Sequence, residues 1–144
     1  MYRVNGSVNK GFIRRRVFSA PADREFLEGI FHPRVRQECL ALLDETGKRG
    51  ESRLFVADVP LLFEKGFDFG QSANLLVATS NQTQIDRLKN RNVWQDGLAE
   101  AVIASQIGIE AKLTMADLVF WNEGSVDVLQ SQCVRFLRSL GLSV

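Results

Sequence analysis

Apolar residues in this chain fall into two rhythms. Short, nearly continuous runs occur at Leu54-Phe55-Val56-Ala57, Leu75-Leu76-Val77-Ala78 and Leu118-Val119-Phe120-Trp121. Runs of this length, bounded by polar residues, predict strands buried on both faces as in a parallel sheet. The predicted strands are 53–59, 74–79 and 118–121. Elsewhere the apolar positions recur at helical spacing. Residues 11–18 and 22–31 predict two short helices, divided by Ser19-Ala20-Pro21. A third helix is predicted from Pro33 to about Thr46, with His32 at its cap and Gly47 and Gly50 as stop signals. Its stripe is Val35, Cys39, Leu42, Leu43 and Thr46. Ser80 is placed to cap a helix running to about Asn92. Residues 97–107 and 109–116 predict helices jointed at Gly108. The last helix, about 125–140, carries Val126, Leu129, Cys133, Phe136, Leu137 and Leu140 on its buried side. Residues 1–10, rich in Asn, Gly and Ser, predict an irregular lead-in.

Strands alternating with helices predict right-handed crossovers and a parallel sheet, hence the α/β class. Three strands are too few to cover one another. Such a sheet exposes apolar surface at its edge, which favours self-association there. The 144 residues suffice for one domain with a core. Eighteen Lys and Arg balance 17 Asp and Glu. No global field therefore draws the chain to nucleic acid or an acidic membrane. Arg14-Arg15-Arg16 is the one basic cluster, and three consecutive arginines spread around a helix as a solvated face. Cys39 and Cys133 lack metal-ligand spacing and read as buried free thiols of a reducing cytoplasm. No metal site, signal peptide or spanning segment is visible.

Candidate chemistry gathers where predicted strands end. Asp58-Val59-Pro60-Leu61-Leu62-Phe63-Glu64 follows the first predicted strand, at the edge where open α/β sheets bind ligands. An apolar loop with acids on either side suits a pocket wall, and equally a plain turn. Arg87 and Arg91 lie four apart and project from one helix face. Two guanidiniums so placed either clamp a polyphosphate or are simply solvated. Asn122 and Gly124 follow the third predicted strand. Asn offers a donor and an acceptor to an adenine edge, and Gly admits close backbone approach. The alternative is an ordinary N-x-G turn.

Taken together, D-V-P-L-L-F-E, then A-T-S-N-Q-T-Q-I-D-R-L-K-N-R, then M-A-D-L-V-F-W-N-E-G resemble the dephospho-CoA kinase family. The resemblance continues upstream through Asn5 to Lys10, Arg16 to Ser19, and Leu27 to Pro33. It implies a three-layer, parallel-sheet kinase fold of the P-loop NTPase type. The activity it implies is ATP-dependent phosphorylation of the ribose 3′-hydroxyl of dephospho-CoA, with Mg²⁺, in the last step of coenzyme A biosynthesis. By resemblance, Arg87 meets the ATP phosphates and acts in catalysis, and Arg91 lies one turn on, in a lid spanning about 84–116. Asn122 and Gly124 lie against adenine. His32, Pro60, Leu61, Leu62 and Glu64 line the dephospho-CoA side.

Family members open with G-x-x-x-x-G-K-[ST], whose backbone amides, Lys and hydroxyl hold phosphate and Mg²⁺. Gly6 and Gly11 have the four-residue gap, but Phe12-Ile13 follow. The resemblance thus implies the carboxyl-terminal part of the enzyme, with the amino-terminal strands and phosphate loop missing. ATP and Mg²⁺ would then be held mainly by that missing part. Val102-Ile103 before Gln106, Leu113-Thr114-Met115 after Lys112, and Asn9-Lys10 each replace a charge or a guanidinium fork usual in the family. Trp121 stands where a polar residue is usual. These departures imply weak or absent turnover by this chain alone. Two other readings stand beside it: a non-catalytic CoA-binding or dimerising module, and another small-molecule kinase of the phosphate-loop class.

Overall fold

A computed structural model describes residues 7–91 and 97–143. Residues 1–6 of the lead-in, and Asn92 at the predicted end of the fourth helix, lie outside them. The chain divides into two compact units, Met1–Ala57 and Asp58–Val144.

The first unit is a helical pair, α1 (Lys10–Ser19) and α2 (Pro21–Arg49). Asn9 caps α1, its side chain accepting the Phe12 amide at 3.0 Å. The break at Ala20 stands as expected: this residue is extended, and Pro21 opens α2 where its missing N–H costs nothing. An Arg16–Asp23 ion pair crosses the joint. The predicted break at Pro33 does not occur. Helix α2 runs 29 residues, with Pro33 inside it. One Pro removes a single backbone hydrogen bond and crowds the carbonyl four residues back, here that of Gly29. Pairs four residues apart, Asp44–Lys48 and Glu45–Arg49, support the second half. The helix ends at Gly50, whose φ of 67° is the left-handed conformation that suits glycine. His32 is consequently a mid-helix, half-buried residue and not a cap.

The second unit holds the sheet. Strands β1 (Leu75–Ala78) and β2 (Leu118–Trp121) pair in parallel, with Val77 opposite Phe120 and Ala78 opposite Trp121. Between them run α3 (Asn81–Arg91), α4 (Leu98–Ala104) and α5 (Ile109–Met115), and α6 (Val126–Ser139) follows. Gly108 joins α4 to α5, as its position suggested. The first predicted strand, 53–59, makes no ladder: among the described residues the sheet has two strands. A strand exists only with a partner for its backbone groups, and Val56 is 76% exposed.

Partners in a parallel register point to the same face, so Val77 shares a face with Phe120, and Ala78 shares the other with Trp121. Helix α6 covers the first face over β2, where Phe136 meets Phe120 edge-on at 5.8 Å between ring centroids. Helix α5 packs on β1. Ala78 is fully buried, whereas Val77 is 50% and Trp121 43% exposed. Each face is therefore covered over one strand and open over the other. On α6, Leu129, Cys133, Phe136 and Leu137 are half-buried as expected. Val126 and Leu140 are exposed, because they lie in the end turns, beyond the reach of strands only four residues long. Both cysteines are free and half-buried. No helix among the described residues is long and apolar enough to cross a membrane.

The Phe120–Phe136 contact packs an aromatic ring of α6 against an aromatic ring of the sheet. Phe136→Ala is expected to lower unfolding free energy by about 2 kcal/mol, below the fully buried range because the ring is half-buried. Urea unfolding followed by circular dichroism measures this.

Candidate functional site

The carboxyl ends of β1 and β2 lie side by side, since the Asn122 amide donates to the Ala78 carbonyl at 2.7 Å. After β1 the chain reads Thr79-Ser80, and after β2 it reads Asn122-Glu123-Gly124. The Glu123 carboxylate joins the two segments. It accepts the Thr79 hydroxyl, the Ser80 hydroxyl at 2.7 Å, the Ser80 amide at 3.1 Å and the Thr83 hydroxyl at 2.6 Å. Ser80 also caps α3 as predicted, its oxygen accepting the Thr83 amide at 3.2 Å. The hydroxyls of Thr79, Thr83 and Ser80, with the Ser80 amide, hold the Glu123 carboxyl well below its ordinary range, at about 2.

Thr83, Arg87 and Arg91 follow one another at four-residue intervals, so they form one stripe along α3. Gripping Thr83 thus sets the direction in which Arg87 and Arg91 project. Both arginines are exposed. Lys89, on the same helix, pairs with Glu100 of α4 at 2.6 Å, linking the first two helices of the expected lid. Residues 92–96 of that lid lie outside the described residues. Asn122 is half-buried beneath this edge. Gly124 needs no special conformation, and a methyl group there meets the Val128 side chain at an ordinary contact distance of 3.6 Å.

A second cluster is built on the 60–66 loop. Leu61 has a φ of 60°, a left-handed conformation that a leucine adopts only under constraint. The turn closes with the Lys65 amide on the Leu61 carbonyl at 3.1 Å and the Phe67 amide on the Leu62 carbonyl at 3.2 Å. This turn aims Glu64 at the α4–α5 joint. There its Oε1 pairs with Lys112 Nζ at 2.7 Å and accepts the Ile107 amide at 3.2 Å. The side chains are 10% and 16% exposed. Burial works to raise the Glu64 carboxyl, but the Lys112 and Ile107 bonds outweigh it, and the group stays below its ordinary range. Its second oxygen, Oε2, is buried with no hydrogen-bond partner among the described residues. Pro60 is exposed and Leu62 half-buried.

Of the residues anticipated from sequence, Asn122 and Gly124 belong to the strand-end cluster, Arg87 and Arg91 lie one and two turns beyond Thr83 on α3, and Pro60, Leu61, Leu62 and Glu64 belong to the loop cluster. His32 lies in the first unit, on α2. Two residues carry more of the site than the sequence suggested. Glu123 read as part of a turn, and Lys112 as a leftover charge. A signal for Glu123 was present: parallel neighbours end at one edge, so an acid after β2 faces the hydroxyl-rich Thr79-Ser80 after β1.

A family model described as dephospho-CoA kinase matches residues 1–127. The chain belongs to the dephospho-CoA kinase family. It is 35% identical over 130 residues to a dephospho-CoA kinase of Symbiobacterium thermophilum, covering 90% of this chain and 54% of that one. To the Listeria monocytogenes enzyme it is 34% identical over 134 residues, covering 93% and 66%. The chain thus spans between about half and two thirds of the length of these relatives. A crystal structure of a Thermus thermophilus protein superposes with a TM-score of 0.72 at 32% identity, covering 96% of this chain and 71% of that one. A Campylobacter jejuni dephospho-CoA kinase superposes with a TM-score of 0.62 at 24% identity, covering 96% and 68%. The α/β, P-loop-kinase type of fold expected from the sequence is thereby established.

Two measurements follow from the geometry. The folded-state pKa of Glu123 is depressed from 4.5 to about 2, so its stabilising bonds are complete above pH 4.5 and are lost as pH falls through 2. The melting-temperature gap between the wild-type chain and Glu123→Gln should be constant above about pH 5 and shrink steadily toward pH 2. At the loop cluster, Lys112→Met strands a buried carboxylate and should cost about 3 kcal/mol in urea unfolding. Glu64→Leu combined with Lys112→Met should cost less than the single change, because no charge is left unpaired.

Proposed function

We propose that this chain provides the nucleotide-side arginines, the adenine loop and one wall of the substrate pocket of a dephospho-CoA kinase. The reaction is transfer of the γ-phosphoryl group of ATP to the ribose 3′-hydroxyl of dephospho-CoA in the cytoplasm. What supports this is that Asn122 and the start of α3, the helix that carries Arg87 and Arg91, share the carboxyl edge of a parallel sheet, in a chain of this family. Arg87 supplies positive charge to the transferring phosphoryl group and Arg91 supports it one turn on. Asn122 offers its amide to adenine, with Gly124 leaving room beside it. Pro60, Leu61, Leu62 and Glu64 form the dephospho-CoA wall. Nucleic acid and membrane have no part in this function.

Exposed guanidiniums fit the phosphates of ATP. A metal ion finds less: among the described residues, no group of three or more His, Cys, Asp or Glu stands close enough to hold one. No step is therefore assigned to Mg²⁺ at these residues. The 144 residues also contain no G-x-x-x-x-G-K-[ST], so phosphoryl transfer needs a phosphate grip that they do not provide.

A second reading is supported by the half-covered sheet, where Leu75, Val77, Val119 and Trp121 are exposed. On that reading the chain is a CoA-binding or self-associating module without turnover. Calorimetric titration of the 144-residue chain with ATP and dephospho-CoA, beside an ADP-release assay, separates the two. Expected are binding of both ligands, ADP release at background, and about tenfold weaker ATP binding by Arg87→Ala. A folded chain that binds neither ligand would overturn the assignment of the nucleotide side and the pocket wall to these residues. Dephospho-CoA binding without ATP binding, together with a stable dimer in sedimentation, would favour the module.

A further inference from the structure

We infer that Glu123 is a positioning residue of the nucleotide side: it docks the first turn of α3 against the adenine loop and so sets where Arg87 and Arg91 stand relative to Asn122. This deepens the kinase reading and rests on it.

Three observations carry the inference. First, Glu123 sits between Asn122 and Gly124, so its side chain is rooted in the adenine loop itself. Second, its partners all lie on the other segment, from the residue after β1 to the first turn of α3. Separations of 40 to 44 residues along the chain are thereby bridged by one side chain. Third, four donors fill the acceptor capacity of a carboxylate, which is about four lone-pair sites. A saturated group has nothing left to offer a nucleotide, so Glu123 acts through the elements it joins. Thr83 transmits the hold, being one helical turn before Arg87 on the same stripe, about 6 Å along the axis. Without Glu123, α3 keeps its Ser80 cap but loses its attachment to the loop after β2.

The test uses the 144-residue chain and its Glu123→Gln, Glu123→Asp and Glu123→Ala variants, with amide exchange and ATP titration read by NMR. In Glu123→Ala the Ser80 amide, which donates to Glu123, should exchange about tenfold faster, while the Thr83 amide, held by the Ser80 cap, and the Leu118 amide, bonded to Asn74 at the opposite edge, stay unchanged. ATP affinity should fall about tenfold, with dephospho-CoA affinity within about twofold of wild type. Glu123→Gln, which keeps reach and part of the acceptor capacity, should recover most of the ATP affinity. Glu123→Asp, which keeps the charge but loses reach, should not. Equal exchange rates at Ser80 in wild type and Glu123→Ala would overturn the inference. So would parallel losses of ATP and dephospho-CoA affinity, which mark general destabilisation. Should Glu123→Ala not fold, the Gln and Asp variants decide by their order. A wild-type chain that gives no ATP shifts would instead refute the nucleotide-side role proposed for Arg87, Arg91 and Asn122. In that case the exchange rates, measured without nucleotide, still decide whether Glu123 docks α3.

Discussion

Two parallel strands of four residues each share too few backbone hydrogen bonds to hold a sheet by the ladder alone, and everything in the second unit hangs on how that shortage is met. Side chains fasten the pair at both ends. At the amino edge, Asp117 accepts the Asn74 amide at 2.7 Å while its own amide donates to the Asn74 carbonyl at 2.9 Å. At the carboxyl edge, Glu123 gathers Thr79, Ser80 and Thr83. The outer side of β2 is closed by Gln132 of α6. Its amide accepts from the Trp121 N–H and donates to the Trp121 carbonyl, both at 2.9 Å, in the manner of a missing strand. Polar side chains thus complete backbone pairing that a longer sheet supplies by itself.

The two carboxylates at the heart of the unit work in opposite settings. Glu123 is exposed, and neutral donors satisfy it at little desolvation cost. Glu64 is largely buried, and the Lys112 charge with the Ile107 amide makes its ionised form tolerable there. The first arrangement fixes a geometry at a surface edge. The second ties a strained turn, marked by the positive φ of Leu61, to the α4–α5 joint. Both place conformational constraint where ligand contacts are proposed, and both use separations of about 40 residues to do so.

Coverage of the sheet is uneven, with α6 over β2 on one face and α5 on β1. Exposed Val77 and Trp121 mark the halves left open. Relatives of this family exceed the chain in length, and the chain spans 54% of the Symbiobacterium thermophilum protein.

Local sequence determined a good deal. The runs 75–78 and 118–121 were legible as strands because each has a polar boundary and a neighbour to pair with. Helix α3 was legible from Ser80, whose cap is a contact of three residues' reach, and the Arg87–Arg91 stripe from helical spacing alone. Family membership was legible from motifs spread along the chain. Elsewhere tertiary structure decided. Residues 53–59 have strand composition but no ladder, since pairing needs a partner that composition does not name. Pro33 looked like a helix start and is a helix interior, because the surrounding turns outweigh one lost hydrogen bond. Glu123 and Lys112 acquired their roles only when the sheet brought distant segments together. A lone charged residue carries no local signal of its partner, so its function is written in the fold and not in its neighbours along the chain.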